Sequence, residues 1–222
     1  MNNNLGDILD KKDTSANFLV LGSGTTVGKY IENLKKFIVK QNCLVIGINN
    51  VHPDIFPHFH FFTNTKRFQK YYKNVKDESA LIISNNINVE YDFLDDYIQL
   101  NRPYYRIQYH DFVFDGVYKK PSIVTDTIMG SFRTAGVLAI YLCKLLGGIE
   151  IYVAGMDGYG YNINQQHYYV DKDDDDTEQS AKEKDIVINR CLDLVAEKVN
   201  FGIITPTIYK KHKNYHYWKD FR

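Results

Sequence analysis

Phe18-Leu19-Val20-Leu21-Gly22-Ser23-Gly24-Thr25-Thr26-Val27-Gly28 is a short apolar run that passes through glycines straight into a helical pattern. A strand that turns on glycines into a helix opens many α/β sheets, and it is also the geometry of a phosphate cradle. Glycine lets the backbone approach a diphosphate closely, and N–H groups at a helix start point at the anion with the helix dipole behind them. Gly22, Ser23, Gly24 and Thr25 are therefore the first candidates for nucleotide binding. The spacing Gly22-x-Gly24-x-x-x-Gly28 misses the third glycine of the dinucleotide fingerprint and has no Lys-Ser/Thr pair of a P-loop. Neither hydride transfer nor ATP hydrolysis is indicated.

Working outward, apolar runs of four to six residues alternate with amphipathic stretches, the pattern of strands and crossover helices. Val27, Ile31, Leu34 and Ile38 fall on one helical face. Strands are expected at residues 18–21, 43–48, 59–62, 80–84, 149–154 and 201–204. An apolar helix is expected over 134–146, closed by Gly147-Gly148, and another from about Thr177 to Val199, with Ile188, Leu192, Val195 and Val199 on one side. Asn85 to Met129 mixes aromatic and charged residues without a steady period and reads as loops, short strands and a lid. The order predicts a single Rossmann-like, doubly wound, mostly parallel sheet with helices on both faces.

The 222 residues suit one domain: a polar, flexible N-terminal segment over 1–16, an α/β domain over 17–208, and a basic aromatic tail over 209–222. Acidic and basic residues balance at 27 each, so no overall field draws the chain to nucleic acid or to an anionic membrane. Cys43, Cys143 and Cys191 have no metal-ligand spacing and lie in apolar stretches, which points to reduced, buried thiols and a cytoplasmic location. No apolar run is long enough to span a bilayer, which leaves room only for peripheral membrane contact. The tail's mixture of cations and aromatics suits packing over its own domain or contact with a second copy.

In such a sheet, ligands sit outside the carboxyl ends of the strands, near the point where strand order reverses. Those ends supply Gly22-Ser23-Gly24, Asn49-Asn50, Thr63-Asn64 and Gly155-Met156-Asp157. Asparagine suits ribose hydroxyls and base edges, and Asp157 can accept from a sugar hydroxyl. An Asn at a strand end is also a common turn former.

Phe132-Arg133-Thr134-Ala135-Gly136-Val137, followed by Ile149-Glu150-Ile151-Tyr152-Val153-Ala154-Gly155-Met156-Asp157-Gly158-Tyr159, resembles the paired signature of bacterial CMP-sialic-acid-dependent sialyltransferases. The same core is shared with hydroxymethyl-dihydropterin diphosphokinase-like proteins, motility-associated glycosyltransferases and stand-alone domains of surface-polysaccharide gene sets. The resemblance covers roughly Asn17 to Asn64 and Gly130 to Ile204. It implies a glycosyltransferase that uses a CMP-type sugar donor as substrate, with a glycan acceptor and no tightly bound cofactor. Asn49 and Asn64 fit the asparagines that contact the cytidine nucleotide, and Thr134, Ala135 and Gly136 the segment that holds the donor or its phosphate. Tyr159, with Tyr161 as a looser candidate, matches the tyrosines that assist departure of the phosphate.

Two departures stand out. Arg133 immediately precedes Thr134, one place from the family's arginine, and would point elsewhere on a matching backbone. The family's base histidine before the last long helix is missing; the nearest is His167, in Gln165-Gln166-His167-Tyr168-Tyr169. An imidazole is neutral and basic near physiological pH, so His167 can deprotonate an acceptor hydroxyl. The acidic run Asp173–Asp176 reads as a solvated helix entrance with Asp176 as N-cap and Gln179 three residues on, not as a metal site. Two alternatives stay open: a magnesium-dependent phosphoryl or diphosphoryl transferase, and a non-catalytic nucleotide- or sugar-binding domain that lacks the base.

Overall fold

The computed structural model describes residues 2–3, 16–87, 102–169 and 176–221. In chain order its strands are β1 (Asn2–Asn3), β2 (Ala16–Leu21), β3 (Cys43–Ile48), β4 (Phe59–Phe62), β5 (Ala80–Ser84), β6 (Tyr104–Asp111), β7 (Ser122–Val124), β8 (Thr127–Gly130), β9 (Gly148–Ala154) and β10 (Phe201–Ile203). The helices are α1 (Thr25–Lys29), α2 (Ile31–Gln41), α3 (Thr65–Tyr71), α4 (Ala135–Leu145), α5 (Glu178–Ala196) and α6 (Tyr215–Trp218). Among the described residues the strands form one sheet in the order β10-β9-β2-β3-β4-β5-β6-β8-β7, with β1 beside β6. Every pairing is parallel except that of β7 with β8. This is the expected doubly wound α/β sheet.

The period-two alternation of the strands sorts their side chains onto two faces. Phe18, Val20, Ile46, Ile48, Phe61 and Ile82 pack with α4 and α5. Leu19, Leu21 and Val45 pack with α1 and α2 on the other face, and there Phe62, Leu81 and Ile83 pack with α3. Each such fully buried side chain contributes about 1.5–3 kcal/mol. Helix α4 is buried continuously from Val137 to Cys143 because it lies between the sheet and α5, as an all-apolar helix must. The three cysteines are free and buried.

Several expectations change. The single helix expected after the glycine turn breaks at Tyr30, the C-cap of α1. The 85–129 stretch contains β6, an eight-residue strand inside the sheet; residues 88–101, part of the expected lid, lie outside the described residues. The segment expected to be flexible over 1–16 contributes Asn2 and Asn3, which pair with Tyr104 and Tyr105. Thr177, not Asp176, caps α5, its side chain accepting from the Ser180 N–H at 3.2 Å; residues 171–175 of the acidic run are outside the described residues. The tail covers its own domain: Phe221, 1 % exposed, meets Tyr30, and Tyr217 meets Phe37. No described helix is long and apolar enough to cross a membrane.

Candidate functional site

Strand order reverses at β2, whose next strand in sequence, β3, lies on one side and β9 on the other. At that point the two strand ends are tied together: Gly22 N–H donates to the Ala154 carbonyl at 2.8 Å and Gly24 N–H to the Gly155 carbonyl at 3.0 Å. A Cβ on Gly22 would lie 2.6 Å from the Gly155 oxygen, and one on Gly24 only 2.5 Å from the Asp157 carboxyl carbon. The glycines of the opening motif therefore permit β9 to approach β2, a use of glycine quite different from ligand approach.

Asp157 is 4 % exposed and sits against the start of α1. Its Oδ2 accepts from the Thr26 N–H at 2.9 Å and the Thr25 hydroxyl at 3.2 Å, and its Oδ1 accepts from the Thr26 hydroxyl. Burial pushes its carboxyl above the ordinary range, with the bonds from Thr26 and Thr25 pulling it back. The helix start expected to cradle phosphate is thus taken by the protein's own carboxylate. Asp157 holds the start of α1, with Thr25 and Thr26 as its partners.

Above this junction is a crevice of about 170 Å³, and beside it a larger compartment of about 630 Å³ that shares Asn49, Arg67, Thr134, Ala135 and Tyr159 with it. Gly22, Ser23, Gly24, Gly136, Asp157 and His167 line the crevice; Asn64 and Arg133 line only the compartment. Tyr161 and Thr25 lie on a separate groove with Gly28, Lys29 and Tyr168, so Tyr161 is not brought to the crevice.

His167 arrives on a strap that crosses the glycine turn. Tyr168 N–H donates to the Ser23 carbonyl at 2.9 Å, and residue 167 pairs with Gly24 in an isolated antiparallel bridge. Ser23 Oγ lies 2.8 Å from His167 Nδ1, and the imidazole stacks on Tyr169 with ring centroids 5.0 Å apart. Ser23 thereby fixes the orientation of the ring.

Asn49 has the left-handed backbone (φ 55°) that Asn tolerates at a strand end. Its N–H donates to the Phe61 carbonyl at 3.1 Å, and its own carbonyl accepts from His60 Nε2 at 2.5 Å. Burial drives His60 down to about 4, which keeps it a neutral donor. With the backbone held this way, Asn49 Oδ1 is buried in the wall of the crevice and has no hydrogen-bond partner among the described residues.

Thr134 is the N-cap of α4, its hydroxyl oxygen accepting from the Val137 N–H at 3.3 Å, so the first turn of an eleven-residue helix opens onto the crevice. Asn64 plays the same part for α3, accepting from the Arg67 N–H at 3.0 Å, which commits the oxygen expected to read a nucleoside. Two further carboxylates organise the edge. Asp111 accepts from the N–H groups of Val113, Phe132 and Arg133, and Asp185 from those of Tyr159 and Gly160 and from the Tyr209 hydroxyl. Asp185 fixes Tyr159, whose phenol burial holds above its ordinary pKa while the nearby Lys184, Arg67 and Arg133 oppose the shift. Sequence reasoning missed Arg67, Asp111 and Asp185. The one available signal was Asp185, a carboxylate three residues before Ile188 on the apolar side of α5.

Among the described residues no group of three or more His, Cys, Asp or Glu side chains is placed to hold a metal ion. No family model matches the chain, and no curated protein or solved structure matches it.

Proposed function

We propose that the crevice is the active site of a glycosyltransferase that takes a CMP-type nucleotide sugar and moves its glycosyl group to an acceptor hydroxyl. The observation that carries this reading is Asn49 Oδ1, a buried acceptor at the strand-order switch point with no hydrogen-bond partner among the described residues. A buried acceptor of this kind costs free energy until a ligand N–H or O–H meets it, and an aminopyrimidine or a ribose hydroxyl supplies that donor.

The chemistry follows from the neighbouring groups. Ser23 holds His167 Nδ1, which assigns proton exchange with the acceptor to Nε2. The acceptor oxygen bonds to the anomeric carbon as the bond from that carbon to the phosphate oxygen breaks. The acceptor proton passes to His167, and the nucleotide leaves with the electron pair. Tyr159, held protonated by burial, donates a hydrogen bond to the departing phosphate, and the first turn of α4 adds its positive end. A serine-nucleophile reading of the Ser23–His167 pair is disfavoured. The N–H after the serine, which would stabilise an oxyanion, is spent on Gly155, and Ser23 has no left-handed backbone.

The test is a calorimetric titration with CMP, CDP, UDP, ADP and GDP, each with and without magnesium. Selective, metal-independent binding of CMP or CDP that weakens about tenfold in Asn49→Ala, the worth of one buried hydrogen bond, supports the reading. Binding that needs magnesium favours a phosphoryl transferase, and purine selectivity removes the CMP donor.

A further inference from the structure

The chain as a whole balances its charges, yet the larger compartment does not. Among the described residues its walls carry Lys66, Arg67 and Arg133 against a single carboxylate, Asp111. Both Asp111 oxygens already accept main-chain bonds: Oδ1 from Val113 N–H and Phe132 N–H at 3.1 Å, and Oδ2 from Arg133 N–H at 2.7 Å. Asp111 is 8 % exposed, and these three main-chain donors occupy its oxygens.

Those bonds have a second effect. Arg133 is held at φ 59°, in the left-handed region that arginine adopts only at a cost of about 1–2 kcal/mol. Strain of this size persists where the surrounding structure over-determines it, and such residues gather at functional sites. Arg133 lines the compartment, and its guanidinium carbon lies 5.5 Å from the ring centroid of Phe114, another lining residue. A guanidinium presents a planar fork of donors matched to two oxygens of a phosphate or carboxylate. Lys66 and Arg67 have further interactions of their own, so what they add is positive potential. Tyr109, whose hydroxyl oxygen accepts from Asn86 and Thr63, adds its phenol proton to that wall.

We propose that this compartment is a phosphate subsite in which Asp111 presents Arg133 to the anion and Lys66 and Arg67 supply the field. Its ligand carries a phosphate or carboxylate beside a neutral N–H or O–H donor that reaches Asn49 on the shared wall. This deepens the glycosyltransferase reading and rests on it for the compartment's role, while anion binding itself stands apart. The anion is either the donor's own phosphate or an acidic group on the acceptor.

The experiment titrates the full chain by calorimetry with pyrophosphate, inorganic phosphate, CMP and cytidine, in the wild type, Arg133→Asn and Lys66→Gln. Asparagine tolerates the left-handed backbone, and Lys66 is exposed, so both variants are expected to melt no lower than the wild type. The expected result is pyrophosphate binding that weakens at least tenfold in Arg133→Asn and measurably in Lys66→Gln, with cytidine unaffected. If CMP weakens in parallel, the anion is the donor's phosphate; if CMP holds while pyrophosphate is lost, it is the acceptor's acid. Should Arg133→Asn unfold, loss of pyrophosphate affinity in Lys66→Gln alone still supports the subsite. Pyrophosphate binding without any nucleotide binding would remove the proposed function and leave the subsite standing. Absence of phosphate and pyrophosphate binding by the wild type, or variants indistinguishable from it, overturns the subsite.

Discussion

Replacing Asp157 with alanine tests whether one buried carboxylate, and not a ligand, holds the start of α1 to β9. The substitution removes the acceptors of three bonds: from the Thr26 N–H at 2.9 Å, from the Thr25 hydroxyl at 3.2 Å and from the Thr26 hydroxyl. Thr26 is 1 % exposed, so its N–H and hydroxyl would both be stranded in the interior. An unsatisfied buried donor costs about 1–3 kcal/mol, or about 2–6 kcal/mol for the two. Part is returned because a desolvated charge also disappears, which leaves about 2–4 kcal/mol of a total near 5–15 kcal/mol. In urea the unfolding midpoint is expected to fall by about 1–2 M. Asp157→Asn keeps one acceptor for the Thr26 N–H, and the Thr26 hydroxyl can rotate to accept from the new amide, so its loss is smaller. The pH dependence has a definite sign. Burial raises the carboxyl above its ordinary 3.8, so the folded state holds the proton more tightly than the unfolded chain does. That stabilisation is complete below the ordinary value and is lost as pH rises through the folded one. The advantage of the wild type over non-titrating Asp157→Asn is therefore largest in acid and shrinks towards neutrality. An Asp157→Ala midpoint within about 0.3 M of the wild type, or a wild-type advantage that grows with pH, would refute the reasoning.

His60 titrates with the opposite sign. Burial lowers it from 6.5 to about 4, so stability is full above the ordinary value and falls by about 2–3 kcal/mol between pH 6.5 and 4.5. Urea unfolding at both pH values should show a larger loss for the wild type than for His60→Gln, and equal losses would count against it. Ser23→Ala removes the 2.8 Å contact with His167 Nδ1; nitrogen NMR should show a changed ring tautomer population, and the proposed transferase turnover should drop about tenfold to a hundredfold. An unchanged tautomer balance would deny Ser23 that positioning role. Burial pushes the Cys43 and Cys191 thiols up to about 12 and Cys143 well above its usual value. A thiol reagent is expected to leave the native protein unmodified and to label all three cysteines in urea; stoichiometric labelling of the native form would contradict their burial.

Much of the fold was legible because it is written locally. Continuous apolar runs of four to six residues marked β2, β3, β4, β5 and β9, and the apolar stretch closed by Gly147-Gly148 marked α4. β6 escaped because, with a burial pattern that alternates irregularly, its sequence Tyr104–Asp111 carries no steady period. The site was legible only as a set of strand ends, since the rule that ligands gather there needs topology alone. What each residue does there depended on tertiary structure. Ser23 and His167 are 144 residues apart, and Thr26 and Asp157 are 131 apart. Arg133 and Asp111, and Tyr159 and Asp185, are likewise distant in sequence. No local pattern encodes which strand end will face which, because strand order is chosen by how the two faces of the sheet bury their apolar side chains together. The sequence by itself determined strands, helices and the glycines between them; the packed sheet decided that those glycines admit a neighbouring strand and a carboxylate, and that Asn49 and His167 line one crevice with Arg133 in the compartment beside it.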